Sequence, residues 1–180
     1  QTSILNKVRK ASRATSDLVL GLAPVTQAGV LGSMGPGAAG KALSSIYRWD
    51  FLPAGLLGIA AGRDPHHTAI IDDGGSLTYE ELHERSTALA RALRHGDIQQ
   101  RDRIGVLARN HRGFIMALCA HGRLGTDLVL LNTGASAEQT LAVIREQKID
   151  FLFIDEEFTH MLPEDFDECP VAVSWFENYG

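Results

Sequence analysis

The sequence predicts an α/β fold in which helices flank a partly parallel sheet, preceded by a helical, Gly-rich segment at residues 1–45. Three observations carry this expectation. From residue 103 onward short apolar runs alternate with helical stretches. The runs are apolar at nearly every position, as strands covered on both faces are. The connections are long enough to hold a helix, and such connections bring successive strands together in parallel.

Each element has its own local reason. TAIID (68–72), Asp73-Gly74-Gly75 and SLTY (76–79) form a β-hairpin pattern, with alternating apolar positions around a D-G turn. Thr78 is then placed as an N-cap, with Glu81 three residues on completing a capping box. The helix it opens carries Leu82, Ser86, Leu89, Ala90 and Leu93 on one stripe and ends at His95-Gly96, where a left-handed glycine is expected. RIGVLA (103–108), DLVLL (127–131), DFLFI (150–154) and PVAVSW (170–175) are the strand candidates. Helices are expected over 112–124 and 136–147 between them. The acidic stretch DEEFTHMLPEDFDE (155–168) is read as a solvated loop with one helical turn.

Composition narrows the function classes. With 44% apolar residues in 180, the chain can bury a core without disulfides or metal. Cys119 and Cys169 lack a C-x-x-C partner, so neither a disulfide framework nor a zinc site is indicated, and a reducing cytoplasm suits them. The adjacent histidines His66 and His67 lie in a Pro-containing loop where neighbouring side chains point apart, which favours surface positions over metal ligands. Residues 1–60 hold six Lys/Arg against Asp17 and Asp50, a net of +4, whereas the remainder nets −9. A nucleic-acid face on the body of the protein is excluded by that balance.

The N-terminal segment has two readings. Leu18 to Gly40 is uncharged over 23 residues, but its six glycines and Pro24 and Pro36 break a spanning helix. Short helices that pack on the protein itself are the default. The alternative is peripheral contact with the inner face of a membrane, through Lys7, Arg9, Lys10 and Arg13 before the apolar run and Arg48 and Trp49 after it. The chain begins at Gln1 without Met and stops at Gly180 with no closing helix, as a processed or partial product would. No secretory signal is expected, because Asp17 interrupts the apolar run after KVRKASR.

One motif invites a phosphate. In GPGAAGKALSS (35–45), Gly35, Gly40 and Lys41 fit G-x-x-x-x-G-K, and Gly35, Gly37 and Gly40 fit G-x-G-x-x-G. Ala42 stands where the metal-binding Ser or Thr hydroxyl belongs, and VTQAGVLGSM upstream is no strand. The stretch reads as a flexible connector.

The segments RDPHHTAIID, Leu77-Thr78-Tyr79-Glu80-Glu81-Leu82, DRIGVLARNHRGF and Gly122-Arg123-Leu124-Gly125-Thr126-Asp127-Leu128-Val129-Leu130-Leu131-Asn132 follow one another in order. Together they resemble the opening third of the adenylate-forming (AMP-binding) enzymes, and within these the fatty-acyl-CoA synthetases of actinobacteria, over roughly residues 46–158. The resemblance implies that residues 46–180 are an incomplete N-terminal portion of the large domain of such an enzyme. It implies an intact ligase that activates a fatty acid or related carboxylate with ATP and Mg²⁺ to an acyl-adenylate, then forms a thioester with coenzyme A. The family's phosphate loop, its Thr-Glu pair, its ribose-binding Asp and its C-terminal Lys have no counterparts in these 180 residues. No catalytic, cofactor-binding or metal-binding residue is therefore assigned, and no cofactor is expected to bind this piece alone. Some relatives carry a basic residue two positions after the motif Asn for coenzyme A; here that position is Gly134.

The motif residues themselves read as folding residues. Leu77 and Leu82 are core, Tyr79 buries its ring beside the hairpin, Gly125 ends a helix, and Asn132 satisfies backbone groups at a strand end. Arg109, Asn110, His111 and Arg112 cluster at a strand end, where open α/β sheets bind ligands. The plainer reading is a helix-entry loop with Asn110 as cap. Cys119 reads as inert core, and Asp72-Asp73 and Glu156-Glu157 as turns facing solvent. The expected function is the N-terminal fragment of an AMP-forming fatty-acyl-CoA synthetase, inactive alone and self-associating through uncovered apolar surface. Its partner would be the C-terminal remainder of its own chain. The alternatives are an acyl-AMP ligase that loads a carrier protein and a non-enzymatic module that binds a membrane or partner.

Overall fold

A computed structural model describes Gly37 and residues 53–176; the latter all lie in the second of the two units into which the chain divides, Lys41–Gly180. Apart from Gly37, the glycine-rich loop lies outside the described residues, as do Lys7, Arg9, Lys10, Arg13, Arg48 and Trp49. Among the described residues, no helix is long and apolar enough to cross a membrane.

Helix α1 (Pro53–Arg63) opens on a proline, which suits a first helical position because its missing N–H has no partner there. It precedes a hairpin of β1 (Thr68–Asp72) and β2 (Gly75–Thr78), which form a separate antiparallel pair. Helix α2 (Tyr79–His95) starts from the expected capping box. Thr78 Oγ1 accepts from the Glu81 N–H at 3.2 Å, and the Glu81 carboxylate accepts from the Thr78 N–H at 2.8 Å. Its buried stripe is Leu82, Ser86, Ala90 and Leu93, with Leu89 half-buried. The expected left-handed glycine is corrected here. Gly96 sits at φ −87°, its N–H shared between the Ala92 and Leu93 carbonyls, and the left-handed residue is Asp97 at φ 67°. The reversal is delayed by one residue, because Ile98 turns back to donate to the Leu93 carbonyl and bury its side chain.

The main sheet follows. Strand β3 (Arg103–Leu107) leads through α3 (Arg112–Leu124) to β4 (Asp127–Leu130), and α4 (Ala137–Gln147) leads to β5 (Phe151–Asp155). A 3₁₀ turn (Glu156–Met161) and a loop precede β6 (Val171–Trp175). The spatial order is β4-β3-β5-β6, all parallel. From β3 the chain steps outward to β4, then crosses back over β3 to β5. Because crossovers are right-handed, that reversal puts the two helices on opposite faces. The cores agree. Ile104, Val106 and Phe153 face Ala90, Leu93, Ala117 and Ala120 from α2 and α3. Leu107, Leu152 and Ile154 face Ile144 of α4 together with Phe158 and Cys169.

Among the described strands, coverage on both faces holds for β3 and β5 only. Leu130 of β4 and Val171 and Val173 of β6 are exposed, because these strands are the two edges. The acidic stretch 155–168 is likewise less solvated than its charge implies, since Asp155 and Phe158 are buried. Gly125 closes α3 at φ 72°, as expected. Helix α4 has its own capping box from Ser136 and Gln139.

Polar contacts also join the helices and the hairpin. His83 on α2 lies 3.1 Å from Nη2 of the buried Arg123 on α3, whose Nη1 donates to the Cys119 carbonyl. Burial, then the arginine's charge, holds the His83 imidazole below its ordinary value. Burial likewise pushes the Cys119 thiol up, so it is an inert core residue. Asp72 at the end of β1 receives Arg112, as set out below.

Replacing Thr78 with Ala should destabilise the fold by about 1 kcal/mol, with Thr78→Ser close to neutral, measured by urea unfolding. Asp72 titrates below its ordinary 3.8, chiefly because Arg112 donates to it. Its stabilisation is therefore complete above that value and lost as the pH falls through the lowered one. Asp72→Asn should be less stable than the parent near neutrality, and the gap should close in strong acid when the two are unfolded side by side.

Candidate functional site

Reversal of the chain at β3 leaves a crevice outside the carboxyl ends of β3 and β5, the place where open α/β sheets bind ligands. A cleft of about 410 Å³ occupies it, lined by Arg109, Asn110 and His111 after β3, Asp155 and Glu157 at the end of β5, and Trp175 at the end of β6. Ile71, Asp72 and Asp73 of the hairpin complete the rim. A smaller apolar notch beside it, about 160 Å³, adds Phe114 and Ile115 from α3.

His111 is the helix cap, a correction to the assignment of Asn110. Its backbone is extended and its Nδ1 accepts from the Gly113 N–H at 3.0 Å, the contact a capping side chain makes. The other ring nitrogen, Nε2, lies 2.9 Å from each carboxylate oxygen of Asp155. Asp155 is 2% exposed, and it also accepts from the Arg109 N–H at 2.7 Å and the Ser174 hydroxyl at 2.6 Å. The indole of Trp175 stacks on the His111 ring at 4.7 Å.

The two arginines at the cleft are both engaged. Arg112 binds Asp72 through its backbone N–H at 2.9 Å and through its guanidinium, which also donates to the Gly75 carbonyl at 2.8 Å. Asp72 therefore faces an arginine, which overturns its reading as a solvent-facing turn residue; it also closes the turn by accepting from the Gly74 N–H. Arg109 grips the Glu157 carboxylate, Nη2 donating at 2.6 Å, and lies over the Phe158 ring. This pairing holds Glu157 below the ordinary carboxylate range and raises Arg109 further, so Glu157 too is engaged beyond solvent.

A triphosphate does not fit these residues. The N-terminus of α3, whose N–H groups and dipole would favour an anion, already holds the Asp72 carboxylate. Asp73, Asp155 and Glu157 add negative charge to the same cleft. Among the described residues, no group of three or more His, Cys, Asp or Glu side chains could hold a metal ion. His66 and His67 are exposed and lie beside Glu80 and Asp64. Tyr79 packs at the hairpin, and Asn132 accepts from the Gly134 N–H at 2.9 Å. Sequence reasoning drew Arg109, His111 and Arg112 together but missed Asp155, Glu157, Ser174 and Trp175. The local signal for Asp155 and Glu157 was a run of three acidic residues directly after an apolar strand.

Comparison with known proteins places this architecture. The profile of a family described as AMP-binding enzyme matches residues 58–177. Fatty acid–[acyl-carrier-protein] ligase ScoC of Streptomyces coeruleorubidus is 29% identical over 98 residues, 54% of this chain and 19% of that protein. Feruloyl-CoA synthase from an Amycolatopsis species is 39% identical over 72 residues, 40% of this chain and 15% of that protein. Among solved structures, the N-terminal subdomain of Klebsiella oxytoca NpsA in complex with anthranilyl-AMSN superposes with a TM-score of 0.59 at 20% identity, over 68% of this chain and 31% of that one. The o-succinylbenzoate coenzyme A synthetase MenE of Bacillus subtilis, solved with ATP and magnesium ion, gives 0.58 at 25% identity over 66% and 32%. The chain thus spans about a fifth or less of these curated relatives and about a third of these solved ones. On the strength of the match over residues 58–177, the chain belongs to the AMP-binding enzyme family.

Proposed function

We propose that this chain is the N-terminal portion of an AMP-forming fatty-acyl-CoA synthetase. The intact ligase would join a fatty acid to AMP at the expense of ATP and then pass the acyl group to coenzyme A. The observation that carries the reading is the family match over the whole described sheet, together with relatives named as a fatty acid–[acyl-carrier-protein] ligase and a feruloyl-CoA synthase. What these residues supply is a scaffold: a parallel sheet whose switch-point crevice faces outward, with its arginines committed to carboxylates of the same chain. The groups that handle ATP and Mg²⁺ would come from the remainder of the ligase, which accords with a cleft that does not suit a triphosphate. Peripheral membrane contact through Lys7, Arg9, Lys10, Arg13, Arg48 and Trp49 belongs to the same proposal, as does a cytoplasmic setting.

A second acceptor is favoured by one relative. ScoC is a ligase for fatty acids and an acyl carrier protein, so the thiol could be that of a carrier protein's prosthetic arm.

Residues 1–180 alone should give no fatty-acid-dependent exchange of pyrophosphate into ATP, and the intact ligase should give it with long or medium acyl chains in preference to aromatic acids. Exchange by the 180-residue chain, or a preference for aryl carboxylates in the intact ligase, would refute the fatty-acyl reading. Adding coenzyme A or a pantetheinylated carrier protein to the preformed acyl-adenylate then decides the acceptor.

A further inference from the structure

We propose that His111 is a positioning residue whose tautomer, and not only its bulk, couples the end of β6 to the start of α3 and holds Trp175 as a wall of the cleft. The Gly113 N–H points at Nδ1, so Nδ1 carries no proton. Nε2 faces the Asp155 carboxylate and carries the hydrogen that this acceptor requires. Both in-plane bonds orient the ring, and its face is left to the Trp175 indole, 4.7 Å away and inclined by 25°.

The surroundings are shaped around this lock. A Cβ at Gly113 would stand 2.6 Å from the Ser174 carbonyl oxygen and 2.9 Å from Cε1 of His111, so only glycine lets β6 approach the helix start. A Cβ at Gly74 would stand 3.2 Å from the tip of the Trp175 indole, which reaches the hairpin turn. Ser174, adjacent to Trp175, donates its hydroxyl to the same Asp155 carboxylate. Three elements therefore share one buried anion, and displacing the end of β6 must disturb the ring that caps α3. The position from which the chain continues past Trp175 and the wall of the cleft move as one unit. This inference concerns coupling within the chain and does not depend on the ligase reading.

The test uses the 180-residue chain with Trp49→Phe, which leaves Trp175 as the sole tryptophan. Long-range proton–nitrogen NMR of the His111 ring at neutral pH should show the Nε2–H tautomer. Iodide quenching of Trp175 should rise severalfold in His111→Asn, which keeps an acceptor for Gly113 but lacks the ring, and should rise in Ser174→Ala and Asp155→Asn. Far-UV circular dichroism should stay that of the parent in the first two. An Nδ1–H or doubly protonated ring in the parent overturns the proposal, as does unchanged quenching in both His111→Asn and Ser174→Ala. If Asp155→Asn fails to fold, the tautomer in the parent and the other two variants still decide. Because no readout is catalytic, failure here leaves the fatty-acyl reading standing, and the reverse also holds.

Discussion

Asp155 is a carboxylate at the end of a central strand with 2% of its surface exposed, and an ion so placed is tolerable only when donors replace its water. Those donors come from three directions: the Arg109 N–H after β3, the His111 ring at the start of α3, and the Ser174 hydroxyl in β6. The geometry of the crevice follows from satisfying this one group. It spaces the ends of β3, β5 and β6, aims the imidazole, and through the imidazole sets the indole. Removing any donor leaves a buried charge short of a partner, which is costlier than the same loss at the surface.

A second internal anion explains what the crevice is not. Helix N-termini attract phosphates, and α3 begins at the switch point of the sheet, where a nucleotide would be sought first. Asp72 from the hairpin is already there, bonded to the first helical N–H and to the Arg112 guanidinium. The helix start is thereby used to dock the hairpin onto the sheet. The engaged arginines and the surplus of carboxylates make the cleft a poor receiver of a polyphosphate.

Packing beneath the crevice is tight enough to limit adjustment. A Cβ at Gly105 in β3 would stand 2.7 Å from Ile149 Cδ1, so the sheet and the α4–β5 connection interlock without a side chain between them. Across the sheet, Arg123 is buried between α2 and α3 with the His83 ring and the Cys119 carbonyl as partners. Both faces of β3 are thus held, and the strand end that carries Arg109 and His111 is presented from a rigid base.

Periodicity and capping chemistry are local, and the sequence by itself determined what depends on them: the α/β class, the hairpin, the Thr78–Glu81 box, the helix over 112–124 and the strand runs to within a residue or so. Helix α1 escaped because its Gly- and Ala-rich run lacks an amphipathic stripe, and the Ser136–Gln139 box was legible but unused. Edge and centre were not legible, since apolar runs look alike in β3, which is covered on both sides, and in β6, which is not. Of the site, only the Arg109–Arg112 cluster at the end of β3 was legible, and its partners were not. Asp155 and His111 lie 44 positions apart, and Ser174 a further 19 beyond Asp155. Only the parallel register of β3, β5 and β6 brings them within hydrogen-bonding distance. An acidic residue in an acidic run looks solvated until the fold removes its water, and pairings made by a crossover leave no trace in local spacing.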